Sequence, residues 1–220
     1  MKKTIIFGNG EFASIAKYYL SDREVKYFCV DDQFYKEETF ENTTVIPQSE
    51  LLKMDKNLYE LFVSLSYKKM NTIRANKYLE LKKLGFKFTS FVHKKSYISD
   101  KSYIGENCFI LENQNIQRNV KIQNNVFMWS GNHIGHNSII KDHTYLSSHV
   151  VISGNCEIGN NCFFGVNSSV KDDTLIGNEC MIGMGANVIK NLKDGSVAIS
   201  EKSQIYGPDE KVSKLIKDKI

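Results

Sequence analysis

Two hydrophobic rhythms divide the chain. Up to residue 91, short apolar runs alternate with stretches of helical periodicity. Strands are predicted over Thr4–Phe7, Val25–Val30, Thr44–Ile46, Leu58–Ser64 and Phe86–Val92. Helices are predicted over Glu11–Leu20, where Phe12, Ile15, Ala16 and Tyr19 share a face, over Gln48–Met54, and over Tyr67–Leu84, closed by Gly85. Alternating strands and helices imply a parallel sheet covered by helices.

From Val92 onward the period changes to six. Every sixth residue from Val92 to Val188, 17 positions in all, is Ile, Val, Leu, Met or Phe. Four residues after each comes a mostly small residue, such as Ser102, Cys108, Cys156 or Ala186. Glycine recurs one residue after, at 105, 135, 159, 165, 177 and 183, with Asn or Asp just beyond. All of these read as turn residues suited to left-handed backbone angles. A helix repeats at 3.6 residues and cannot produce this texture. A short strand followed by a tight turn can, with three units closing a triangular coil and successive coils stacking at about 4.8 Å. The expected division is 1–91 for an α/β unit, 92–193 for the coils and 194–220 for a tail.

Composition excludes several classes. No apolar stretch approaches the roughly 20 residues needed to cross a bilayer, and the first apolar run stops at Gly8, so a cytoplasmic protein without membrane insertion is expected. A net charge of +4 with interspersed signs implies no nucleic-acid surface. Five cysteines without a C-x-x-C pair disfavour a zinc site, and four of them share the small slot of the repeat, as buried inert thiols would.

In the first unit, Gly8-Asn9-Gly10-Glu11-Phe12-Ala13 fits G-x-G-x-x-A, with Asp31-Asp32 after the second strand. Such glycines let a phosphate or sugar approach a helix N-terminus, and an acid about 20 residues on can bind a ribose hydroxyl. A structural turn, a nucleotide or nucleotide-sugar site, and an NAD site all fit. Four of the five histidines, His133, His136, His143 and His149, fall within one short stretch, outside the large apolar positions. Solvated corners, a metal site and a general base are the alternatives.

The period-six segment resembles the hexapeptide-repeat family, whose fold is a left-handed parallel β-helix and whose members are mostly acyl-CoA-dependent acyltransferases. With a small Rossmann-like unit in front, the chain over about residues 3–193 resembles the sialic acid O-acetyltransferase type. That group includes N-acetyltransferases of nucleotide-linked amino sugars made for surface glycans. The resemblance implies a homotrimer without a metal, binding acetyl-CoA between subunits and a nucleotide-linked sugar at Gly8, Asn9, Gly10, Glu11, Asp31 and Asp32. Glu11 stands where that group often has His. Ile134-Gly135-His136-Asn137-Ser138 matches the segment bearing the catalytic histidine, which makes His136 the general base. Asn137 replaces the usual ring-orienting Glu, leaving Asp142 or a neighbouring subunit's acid as substitutes. Tyr145 replaces a second His, so Tyr145, His143 and His133 are candidate contacts to the acetyl group or acceptor. The resemblance further implies that Gly154, Gly165, Val166, Gly183 and Ala186 bind CoA, with a backbone amide near Gly154 on the thioester oxygen. Lys190, Lys193 and Lys202 are candidates for its phosphates. O-acetylation of a sialic-type sugar, a non-enzymatic nucleotide-sugar scaffold and an NAD-linked oxidoreductase are the other readings. Trp129 and Tyr103 are expected at the surface or in subunit contacts.

Overall fold

The computed structural model describes residues 3–202, 204–205, 207–208 and 210–212. The terminal helix considered for 209–220 lies for the most part outside them. The first apolar runs form the strands β1 (Lys3–Phe7), β2 (Val25–Val30), β3 (Thr39–Phe40), β4 (Thr43–Pro47) and β5 (Tyr59–Val63). They make one mixed sheet in the order β3-β4-β2-β1-β5, parallel throughout except for the β3–β4 pair. That hairpin turns through Glu41 and Asn42, both with positive φ, and has no apolar alternation to announce it.

Three helices cover the sheet: α1 (Glu11–Tyr19), α2 (Gln48–Leu51) and α3 (Thr72–Lys83). The helix expected from Tyr67 begins five residues late because Lys69, Met70 and Asn71 all adopt left-handed angles, which no right-handed helix can propagate. The strand expected over Phe86–Val92 is reduced to one bridge, Leu61 to Phe88, before Phe91 and Val92 enter the first coil.

From there the chain forms two-residue strands, each paired in parallel with the strand one coil away. The result is a β-helix of three parallel sheets with six, five and seven strands. The second residue of each strand points inward, and the small slot fills the remaining core, including the free thiols of Cys108, Cys156, Cys162 and Cys180. Burial pushes the Cys108 thiol up to about 12, so it stays protonated at neutral pH. The coils run past residue 193, since Val197–Ala198 pairs with Met181–Ile182 and Ala198 packs on the core.

The turns separate two residue types that the repeat had merged. The left-handed position lies three residues after the apolar one and is held mostly by asparagine, as at 107, 125, 137 and 155, and by His143 and His149. The glycines one residue after the apolar position serve a different need, close approach of neighbouring coils. A Cβ on Gly135 would lie 2.5 Å from the backbone nitrogen of Gly154. Gly135→Ala is therefore expected to cost about 1–3 kcal/mol, as overpacking does, read as a lowered midpoint in urea.

Outward residues decide what each sheet meets. On the seven-stranded sheet they are aromatic at every coil from Phe91 through Phe109, Phe127 and Tyr145 to Phe163, and they pack against Phe12, Tyr19 and Phe62 of the first unit. Trp129 joins this contact, with its ring 5.9 Å from that of Phe12, so it faces the first unit rather than solvent or another subunit. Tyr103, outward on the five-stranded sheet, is exposed.

Candidate functional site

A crevice opens where the strand order changes direction. From β1 the chain moves outward to β2 and β4, then crosses back so that β5 joins the other edge of β1. The segments leaving β1 and β5 therefore diverge, which is where parallel sheets place ligands. The cavity measures about 510 Å³ and is lined by residues 7–12, Val30, Asp31, Phe34, residues 64–68 and Ile73. Gly8 has φ +123°, and a Cβ there would meet the Ser64 carbonyl oxygen at 3.1 Å, so only glycine fits. Gly10 is under no such constraint. It precedes α1, and its carbonyl accepts from the N–H groups of Ala13 and Ser14.

The acidic pair splits in role. Asp31 lines the crevice but also accepts from Lys77 Nζ at 2.5 Å. Lys77, largely buried, also donates to Gln48 and Glu80. Burial works against its charge, yet the hydrogen bonds to the two carboxylates raise its pKa. Asp32 lies outside this cavity and accepts from the Ser49 N–H at the start of α2. Asp32 also lines a neighbouring cavity of about 340 Å³ together with Asp31 and Gln48. Asn9 and Glu11 line the crevice, and Lys68 is the one cationic lining residue.

The β-helix has three corners, and the sequence-predicted residues separate among them. The corner from the six- to the five-stranded sheet carries Arg118, His136, Gly154 and Asp172 one above another. His136 is exposed beside a shallow cavity of about 420 Å³ lined by Tyr97, Ser99, Asn115, Gln117 and Arg118. A Cβ on Gly154 would lie 2.6 Å from the His136 ring, so the bare glycine makes room for the imidazole. The His136 backbone N–H donates to Gln117 Oε1 at 2.9 Å, and the ring Nδ1 lies 3.2 Å from the same oxygen.

One expectation at this corner needs correction, and one amide is already engaged. Asn137 does not touch the ring. Its side chain belongs to a ladder running from Asn119 through Asn155 to Asp173, which ties the coils together. The Gly154 N–H does not point to an open position, because it donates to Asp172 Oδ1 at 2.9 Å. Asp142 likewise accepts from the Asn124 N–H.

The corner from the five- to the seven-stranded sheet is buried beneath α3, which removes His143 and Tyr145 from the His136 groove. Asn107 accepts from the Val63 N–H through Oδ1 and donates to Asn125 Oδ1, so Asn125 Nδ2 must donate to His143 Nδ1 (2.9 Å). The imidazole is thereby held neutral, protonated on Nε2. Burial, together with nearby Arg74, lowers its pKa to about 4, against the opposing pull of Asp142. Arg74 is fully buried in the same contact. It donates to the His143 carbonyl at 2.8 Å and to Asn125, its guanidinium lies 4.3 Å from the centre of the Phe127 ring, and burial lowers its pKa to about 9. Tyr145 stacks on Phe163 and packs against Tyr67 and Phe12. Both side chains serve the contact between the two units, and neither reaches an acceptor at His136.

This burial has a pH signature. Between about pH 6.5, where an unfolded histidine titrates, and about 4, the unfolded chain binds a proton that the folded one refuses. The contribution is complete above about pH 6.5 and is lost as pH falls, at up to about 1.4 kcal/mol per unit. Urea titrations from pH 7.5 to 4.5 should show this slope. It should shrink in His143→Asn, which keeps a residue suited to the left-handed corner.

On the third corner, from the seven- to the six-stranded sheet, Gly165 and Gly183 stack in one column and exposed Val166 stands in the next, beneath Met184. His149 is also here, exposed, with Gly131 bare beneath its ring. His133 lies outward on the six-stranded sheet between Asn115 and Val151. That sheet's outer face is thus flanked by both corners and brings His133, His136, Gly165, Val166 and Gly183 to one side of the prism. Ala186 is buried in the core and cannot meet a ligand with its side chain. Lys190, Lys193 and Lys202 are exposed near the last coils.

Sequence reasoning missed Gln117, Arg74 and Asn71. Gln117 had a usable signal, since stacking at 18 residues places positions 117 and 118 beside His136. Asn71 and Arg74 had none, because their partners lie in another unit: Asn71 donates to the Cys162 carbonyl at 3.0 Å. Among the described residues no cluster of three or more His, Cys, Asp or Glu could hold a metal ion, and no helix is long and apolar enough to cross a membrane.

A family model described as the GMPPB C-terminal domain matches residues 87–194. No curated protein matches the chain in sequence. Among solved structures, PerB from Caulobacter crescentus, in complex with CoA and GDP-perosamine, superposes with a TM-score of 0.81 at 20% identity, over 94% of this chain and 98% of its own. The acetyltransferase domain of PglB from Neisseria gonorrhoeae gives 0.79 at 18%, over 90% and 96%. WeeI from Acinetobacter baumannii gives 0.56 at 16%, over 90% and 96%. At these identities the likeness is one of fold: the chain is built as PerB and the PglB acetyltransferase domain are, a small mixed sheet followed by a parallel β-helix.

Proposed function

We propose that the protein is an acetyl-CoA-dependent acetyltransferase that modifies the amino group of a nucleotide-linked amino sugar for surface-glycan synthesis in the cytoplasm. The observation that carries this reading is the coexistence, on one chain, of a sheet crevice that requires a bare Gly8 and an exposed histidine in a groove of the β-helix. The fold that holds them is the one PerB uses with CoA and GDP-perosamine.

In this reading residues 1–91 form a Rossmann-like unit. Gly8, Asn9, Gly10 and Glu11 line the nucleotide site, Lys68 faces its phosphates, and Asp31 faces the sugar side. Residues 92–193 form a left-handed β-helix. Acetyl-CoA, a substrate, lies along the six-stranded sheet near Gly165, Val166 and Gly183. Exposed Tyr97, Val151, Tyr103 and Leu175 on the two uncovered sheets supply the apolar surface on which two further copies complete a trimer.

His136 accepts a proton from the neutral sugar amine as its nitrogen attacks the thioester carbonyl. The C–N bond forms, the C–S bond breaks, and the thiolate leaves to be protonated. No cysteine takes part, since all five thiols are buried. Release of free thiol from acetyl-CoA, followed with a panel of amino-sugar nucleotides, tests the proposal. Turnover only with hydroxyl acceptors would convert it to O-acetylation. Binding of nucleotide sugars with no thiol release and no thermal shift from CoA would make the protein a scaffold and end it.

A further inference from the structure

We infer that Gln117 is a positioning residue that fixes His136 as the tautomer protonated on Nδ1, leaving the Nε2 lone pair free for the acceptor. The inference rests on the reading of His136 as the general base. It begins with one hydrogen bond whose direction is not in doubt. A backbone N–H can only donate, so the Gln117 side-chain atom 2.9 Å from the His136 nitrogen is the amide oxygen. That fixes the orientation of the whole amide group.

The same oxygen lies 3.2 Å from Nδ1 and cannot donate to it, so Nδ1 carries the proton. Nε2 has no hydrogen-bond partner among the described residues. A free imidazole would exchange between both tautomers, and only one presents a lone pair at Nε2. Gln117 therefore does what a carboxylate beside the histidine does in other sites, with one difference. A neutral oxygen orients the ring and accepts from the imidazolium formed during transfer, but adds no charge to stabilise it.

The arrangement comes from the coil geometry. Gln117 lies one coil below, in the slot one residue after an inward Ile116, and the bare Gly154 one coil above leaves the ring its place. Asn137, which follows His136 in sequence, points its amide along the corner ladder and is unavailable.

The tautomer can be read without substrate. In protein carrying ¹⁵N-labelled histidine, the His136 resonances, assigned by their loss in His136→Asn, should report Nδ1–H. In Gln117→Leu that preference should be lost. In Gln117→Glu it should persist, because a carboxylate oxygen in the same place also accepts from Nδ1–H. In turnover, Gln117→Leu should lower kcat about tenfold or more with little change in KM for acetyl-CoA. Gln117→Glu, which keeps an acceptor at Nδ1, should retain most of the turnover that Gln117→Leu loses. A wild-type ring protonated on Nε2, or a Gln117→Leu protein whose tautomer and kcat match wild type, overturns the inference while leaving His136 as base. Full activity in His136→Ala overturns the base itself, whatever the tautomer.

Discussion

Replacing His136 by alanine is expected to lower kcat for acetyl transfer by about 10²–10⁴-fold, the usual contribution of a positioned general base. KM for acetyl-CoA should change little, because the proposed CoA site lies along the six-stranded sheet and not at the imidazole. The fold should survive. His136 is exposed at a corner, its ring contributes no core packing, and the inward residue of its strand is Ile134. A variant with wild-type kcat would remove the groove at this corner from the chemistry.

The largest expected loss of stability is at Phe127. It is buried, stacks on Phe62 with ring centres 5.8 Å apart and 3° between planes, and carries the Arg74 guanidinium on its face. Phe127→Ala should cost about 3–5 kcal/mol through lost burial and the cavity left behind. At about 2–4 °C per kcal/mol for a chain of this length, the melting temperature should fall by roughly ten degrees. The loss should lie at the upper end of that range. Among the described residues Arg74 has no carboxylate partner, so the ring is part of what compensates its buried charge. Tyr103→Ala, at an outward position of an uncovered sheet, should stay within about 0.5 kcal/mol in the monomer. Equal effects from the two substitutions would mean that the two units do not pack through the seven-stranded sheet.

The β-helix was legible because its period is a local property. Each six-residue unit repeats one strand and one turn, and its large residue has only the prism interior to enter. The strand and helix order of the first unit was legible for the same reason, save for the β3–β4 hairpin, the strand expected over Phe86–Val92, and the start of α3, where Lys69, Met70 and Asn71 turn left-handed and Asn71 bonds to the β-helix. The role of each histidine was not. His143 and His149 hold the same slot of the repeat and His136 the slot before it, yet His136 lines a groove, His143 is buried under α3 and His149 stands over Gly131. Which corner is covered depends on where a separate unit docks. A row of aromatics every 18 residues, from Phe91 to Phe163, did mark the covered face. By itself the sequence determined the coil, its core and the small slot that holds four of the thiols, since each depends on neighbours close along the chain. Only the tertiary structure decided that His143 and Tyr145 serve the contact between units, that Asp172 engages the Gly154 amide and that Gln117 holds His136. Those pairings join residues from different coils or units, whose meeting is fixed by stacking and docking.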